Sequence, residues 1–315
     1  MWPLVLDDTE CTDLLFNLTG TLLAPSDPAD YKWVKNVSYL LFKHCKNFTL
    51  HGSGTGVIDG RGQNWWELFK KHNVERPYLS ILDDGEYLAV RDITLMDSPM
   101  FHLVPRGSKH ILVEGVTIHA PSDSPNTDGI DPSDSEDVMI LNCNISTGDD
   151  NVAVKGGCQG VLVQDCYFAY GHGCSIGSIN TTGVQDVMLK NITFVGTENG
   201  ARIKTWQGGT ALVQNISYVS LRMEEVGYPI LIDMYYCPGG GCKNQTKGEV
   251  SSSSLSCSLS SCIPQSTYLP LFLSLPYHSP PILHHPHLLL PLFPAQGSPL
   301  KTFCSVISQA PSPRG

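Results

Sequence analysis

The chain has 315 residues, enough for one large domain or two ordinary ones, and a formal net charge of −10. Only 16% of residues are charged while glycine is abundant (29 residues), which points to a β-rich protein, and the acidic balance argues against nucleic acid as a partner. No apolar run is long enough to cross a bilayer, so no membrane partner is expected, and a polyanionic substrate would need locally concentrated cations.

The N-terminal stretch "MWPLVLDDTECTD" has no basic region and only a short apolar run, so it does not read as a signal peptide. Sequons of the N-x-S/T type nevertheless occur at Asn17, Asn36, Asn47, Asn144, Asn180, Asn191, Asn215 and Asn244, the pattern of a secreted protein. Three of them, Asn144, Asn191 and Asn215, sit in N-I-S/T strings that a repeated strand would produce in any case. The 11 cysteines leave at least one unpaired, and their spacing fits no CxxC metal pattern.

From Tyr87 onwards a nine-residue window recurs. It reads "YLAVRDITL" from Tyr87, "HILVEGVTI" from His110, "DVMILNCNI" from Asp137, "GVLVQDCYF" from Gly160, "DVMLKNITF" from Asp186 and, more weakly, "NISYVSLRM" from Asn215. The offsets are 23, 27, 23, 26 and 29 residues, a period that means stacked supersecondary units. Positions two, four, seven and nine are apolar, so alternation shifts phase by one residue in mid-window: a strand, a bend and a second strand facing the same interior. Position six, at the bend, is Asp92, Gly115, Asn142, Asp165, Asn191 and Ser220, all turn formers. A 3.6-residue apolar period is absent, and so is a leucine-rich-repeat consensus. The expected fold is therefore all-β, a right-handed single-stranded parallel β-helix. Cys143 and Cys166, at position seven of adjacent windows, are expected as stacked core thiols.

From about Glu249 the chain becomes Ser, Leu and Pro with almost no charge, and frequent proline forbids strand ladders. Residues 1–248 are expected to form the β-helix domain, truncated at both ends, and 249–315 a disordered or non-native tail. The "HHPH" scrap at His284 to His287 reads as incidental, and "SPNTDGIDPSDS" fails as a calcium loop because Ser124 and Ser135 stand where acids are required. No metal and no cofactor are expected.

The polar residues acquire positions from the repeat. Asp149 and His172 each lie 12 residues after the start of their windows, Arg202 lies 16 after its own, and Asp128 precedes Asp149 by 21. Stacking should bring Asp128, Asp149, Asp150, His172, Arg202 and Lys204 into one lateral column, with neighbouring strands about 4.8 Å apart. Carboxylates so close cannot all ionise easily, so one of them should keep its proton. A protonated acid beside an ionised base suits hydrolysis of a glycosidic bond, and the cations suit a substrate that carries carboxylates.

"NTDG", "GDD", "GHG" and "RIK" (126–129, 148–150, 171–173 and 202–204) resemble, in order and spacing, the four signature motifs of glycoside hydrolase family 28, the polygalacturonases. The resemblance runs from about Phe16 to about Lys247. It implies hydrolysis of α-1,4-linked galacturonan in pectin with inversion, by a monomer acting outside the cell or in the cell wall. Carried over by motif, Asp149 would protonate the leaving oxygen, Asp128 and Asp150 would activate water, and His172 would tune the acid. Asn126 would orient Asp128, Arg202 and Lys204 would hold galacturonate carboxylates, and Tyr236 would contact substrate. Inverting enzymes place their carboxylates roughly 6.5–9.5 Å apart, more than adjacent coils suggest, and here the family's stereochemistry is preferred. Many relatives carry a cysteine directly after GDD, paired near GHG; Asn151 stands there in this chain. The competing readings are a pectate lyase and a non-catalytic, truncated β-helix.

Overall fold

The computed structural model describes residues 4–31 and 38–237, together with the backbone of the strands Leu255–Leu259, Phe272–Leu273 and Thr302–Val306. The chain winds as a right-handed parallel β-helix, its turns stacked strand on strand and joined at Ile130 by isolated bridges alone on the third face.

The window is the coil's own unit. Its position-two residues Leu88, Ile111, Val138, Val161, Val187 and Ile216 are buried and paired rung on rung in register. Position nine repeats this from Leu95 through Ile118, Ile145 and Phe168 to Phe194, and ends on the half-buried Met223. Burying like residues on like residues is what lets an untapered core continue from coil to coil. The bend between them is made by backbone in the left-handed region: position six has φ of 50° at Asp92, 53° at Asn142, 56° at Asp165, 51° at Asn191 and 56° at Ser220. Asn and Asp tolerate that region and then bond to each other across coils, Asn191 Nδ2 donating to Asp165 Oδ1 at 2.6 Å. Cys143 and Cys166 are buried, unpaired thiols in the stack.

Two features escaped the window. Strand Lys46–Asp59 is an additional coil, with Phe48 against Leu88 and Ile58 against Leu95, but a bulge between His51 and Gly56 breaks the nine-residue spacing. The helix Gln63–His72 follows it, seats Trp65 and Trp66 against the solenoid, and ends on Asn73 in the left-handed region. A disulfide joins Cys11 to Cys45 across neighbouring coils.

The third face positions the polar residues. Its inward rungs are Leu103, Ile130, Val152, Cys174, Ala201 and Ile230, all buried and in register. Asp128, Asp150, His172 and Asn199 each stand two residues before such a rung, so these four share one column. Arg202 and Lys204 lie later on strand Asn199–Trp206, opposite Ser175 and Gly177. This refines the expected single column into two adjacent ones. On the C-terminal side, the backbone of Leu255–Leu259 pairs in parallel with Ile216 to Val219; the rest of the expected 249–315 tail, apart from the two short strands named above, lies outside the described residues.

Candidate active site

Asp149 and Asp150 occupy the bend that leads into strand Val152–Val154. The bend is cinched by its own side chains: the Asp150 N–H donates to Asp149 Oδ1 at 2.8 Å, and the His172 N–H of the next coil donates to the Asp149 carbonyl at 2.9 Å. Asn151, in the core behind them, donates to the Ile145 carbonyl at 3.1 Å and accepts the Gly173 N–H at 3.0 Å. Hydrogen bonds thus tie the GDD bend to the GHG bend. Gly171 and Gly173 flank His172 with φ of +63° and +80°, and a Cβ on Gly173 would stand 2.0 Å from the Asn199 carbonyl oxygen. Only glycine lets the chain pass there.

The three carboxyls have distinct surroundings. Asp150 is 1% exposed and sits on the floor of the site: Arg202 Nη2 and Ser175 Oγ donate to its Oδ1 at 2.6 and 2.9 Å, and Lys204 Nζ to its Oδ2 at 2.7 Å. Burial alone would raise its pKa, but Lys204, Arg202 and Lys155 outweigh that and hold it down to about 2. Asp149 is the most accessible of the three (19%), with Oδ1 2.8 Å from His172 Nδ1 and Oδ2 accepting Asn126 Nδ2 at 3.2 Å. Its hydrogen bond is the chief reason that the His172 pKa is raised, and His172 Nε2 lies 3.2 Å from Glu198 Oε2. Asp128 is buried (5%), and burial together with the neighbouring Asp131 pushes its pKa well up against the pull of Lys155. Asp128 is thus the group that this environment pushes towards its protonated form, whereas the sequence reading placed the retained proton on Asp149.

All the expected residues converge. Asn126 bonds to Asp149 rather than to Asp128. Tyr236 closes strand Tyr228–Tyr236, its ring edge-on to Trp206 at 6.4 Å and 5.3 Å from Lys204 Nζ. Arg202 and Lys204, expected to face the substrate, are first of all the counter-ions of Asp150.

Five contributors went unnoticed in the sequence: Arg76, Asp131, Lys155, Ser175 and Glu198. Arg76 is a buried guanidinium just beyond the helix, 3.8 Å over the Phe69 ring, and donates to the carbonyls of Pro99 and Pro125 and to Asn126 Oδ1 at 2.8 Å. That bond fixes which end of the Asn126 amide faces Asp149. Burial lowers its pKa to about 10, which leaves it charged at neutral pH. Nothing in the repeat pointed to Arg76, because it lies outside the repeat. Asp131, Lys155 and Ser175 could have been found by carrying the alternation of the third face through the motifs.

Asp149, Asp150 and His172 each offer an atom within 4.8 Å of the others, a spacing that a metal ion could use. The donors do not fit one: Asp150 is already bonded to an ammonium and a guanidinium, and His172 lies between two carboxylates.

Comparison with known proteins agrees with this arrangement. The profile of Glycosyl hydrolases family 28 matches residues 4–257. A polygalacturonase of Juniperus ashei is 40% identical over 243 residues, and one of Chamaecyparis obtusa 39% over 245; the matches cover 73% and 74% of this chain and 47% of each relative. The chain thus spans about half the length of those relatives. Among solved structures, the polygalacturonase of Erwinia carotovora superposes with a TM-score of 0.69 at 29% identity, covering 80% of this chain and 72% of that one. The endo-xylogalacturonan hydrolase of Aspergillus tubingensis gives 0.67 at 26%, covering 74% and 66%. From its repeat, its third-face constellation and these matches, the chain belongs to Glycosyl hydrolases family 28.

Proposed function

We propose that the protein hydrolyses α-1,4-galacturonosidic bonds of pectin or polygalacturonate by acid/base catalysis with inversion. One observation carries this reading: three carboxyls in three different environments gather on one face of the solenoid, Asp128 beside Lys155, Asp149 beside His172 and Asp150 between Arg202 and Lys204. Asp149, the accessible carboxyl, donates the proton to the leaving oxygen, with His172 and Asn126 fixing its orientation. Water is held between Asp150, ionised throughout, and Asp128, whose higher proton affinity makes it the better base once ionised. Arg202 and Lys204 offer their remaining N–H donors to a galacturonate carboxylate, and Tyr236 lies against the same sugar. This answers the net-charge objection, since the cations are local while the −10 is global.

The Cys11–Cys45 disulfide and the exposed sequon residues Asn144 and Asn180 support an extracellular, cell-wall location. A monomer suffices, because every residue of the proposed site comes from one chain.

The test is digestion of polygalacturonate, following reducing ends and ultraviolet absorbance together. Saturated reducing ends, lost in Asp149→Asn by about a hundredfold or more, are expected. Unsaturated products would overturn hydrolysis in favour of elimination. Proton NMR of the first product settles the stereochemistry, inversion giving the β-anomer.

A further inference from the structure

Asp131 and Lys155 have no part in the reaction steps proposed above. Asp131 lies three residues after Asp128, beyond the inward rung Ile130, and its side chain is 2% exposed. Lys155 follows strand Val152–Val154 in the next coil, where its N–H donates to the Pro132 carbonyl at 2.9 Å. Its ammonium stands 3.1 Å from Asp131 Oδ2 and 3.6 Å from Asp128 Oδ2, with the Phe101 ring centre at 5.3 Å. Two buried carboxyls therefore share one cation. Both cannot ionise there without cost, so the charge on one governs the other.

The remaining groups that face Asp128 are Asp149 and Asp150 on the next coil and Arg76 and Tyr78 on the preceding segment. The buried His102 ring reaches Asp128 at its backbone carbonyl, Nδ1 to O at 2.9 Å, and its Nε2 accepts the Ser98 N–H at 3.3 Å. Arg76 is engaged by Asn126 and two carbonyls, and Asp150 by its own two cations. That leaves Asp131 and Lys155 as the pair beside the Asp128 carboxyl, with Lys155 also felt by Asp150 farther off. Burial raises the Asp131 pKa to about 6, and the surrounding carboxylates push that of Lys155 up in spite of burial.

We propose that Asp131 and Lys155 are positioning residues for Asp128, an anion and a cation that together set the pH at which Asp128 becomes the ionised carboxylate beside the reacting water. This rests on the reading of Asp128 as a water-activating group. It makes the two residues act in opposite senses. Removing the anion eases ionisation of Asp128; removing the cation hinders it. Residues that only held the fold would lower activity in both variants without moving a pH limb in opposite directions.

The experiment compares the full chain with Asp131→Asn, Lys155→Met and Lys155→Gln. The kcat/KM on polygalacturonate is followed against pH. In parallel, carboxyl 13C spectra of aspartate-labelled protein report Asp128 directly, assigned through Asp128→Asn. The acidic limb and the Asp128 titration should both move down by about one pH unit in Asp131→Asn and up by about one in the Lys155 variants. Limbs and titrations that stay put, or move the same way in both, would overturn the proposal. Should Lys155→Met not fold, Asp131→Asn and Lys155→Gln carry the same opposed signs. If the Asp128 resonance moved as expected while the kinetic limb stayed still, control of Asp128 would stand and its part in hydrolysis would fall.

Discussion

Lys204 Nζ lies 2.7 Å from Asp150 Oδ2, a contact that spans two coils and 54 residues. Arg202 reaches the same carboxylate from the same strand. The floor of the site is therefore a buried cluster of two cations and one anion, held ready across the intervening coil before any substrate arrives.

Breaking that cluster should cost fold as well as function. Asp150→Ala leaves a guanidinium and an ammonium buried without their carboxylate, a loss of about 3–5 kcal/mol for a buried ion pair. Denaturant unfolding should show the midpoint fall, and turnover should be abolished. A variant as stable as the wild type would mean that the two cations are satisfied by solvent instead.

The same cluster sets the response to acid. The folded pKa of Asp150, about 2, is below its ordinary value of 3.8, so its contribution is present above about pH 4 and is lost as pH falls towards 2. Asp131 has the opposite sign: its folded value of about 6 makes the folded state lose stability as pH rises from about 4 to 6. Asp150→Asn should flatten the acid side of the stability–pH curve and Asp131→Asn the stretch above it. Interchanged effects would contradict these environments.

Arg76 should matter without touching substrate. Arg76→Met removes the donor that orients the Asn126 amide, and Arg76→Lys cannot replace a planar group bonded to two carbonyls and an amide at once. Turnover is expected to fall about tenfold or more in both, by analogy with the cost of small misplacements in active sites. Unchanged kcat in Arg76→Lys would show that the Asn126 amide is held by something else.

Asn151→Ala should loosen two motifs together. It leaves the Gly173 N–H and the Ile145 carbonyl without their buried partner, at about 1–3 kcal/mol for each unsatisfied group. Faster amide exchange at both Gly173 and Asp150, with a lowered Tm, is the expected result. Exchange that changes at one bend alone would mean that Asn151 does not couple them.

Gly177 is fixed by the approach of a neighbouring strand. A Cβ there would stand 2.2 Å from the Lys204 carbonyl oxygen, and its φ is +119°. Gly177→Ala should displace the strand that carries Lys204 and reduce both stability and turnover. A crystal structure of the variant with Lys204 Nζ still on Asp150 would refute this.

The windows from Tyr87 to Met223 were legible because a solenoid writes its core as a periodic code: each coil buries the same positions, so local alternation alone fixes strand, bend and stacking partner. The coil at Lys46–Asp59 was hidden by its bulge, and the helix Gln63–His72 falls outside the period. The motif residues could be read for the same reason, since spacing by one coil places them side by side.

Sequence by itself therefore determined the repeat, the face on which the carboxyls gather, and the family. Tertiary structure alone decided how charge is shared there. Whether a carboxyl is ionised depends on distances of 2.6 to 3.6 Å to groups from other coils, and on burial, neither of which a linear spacing contains. Asp149 and Asp150 are adjacent in the chain, yet one reaches a histidine in the accessible part of the site and the other two cations on its floor.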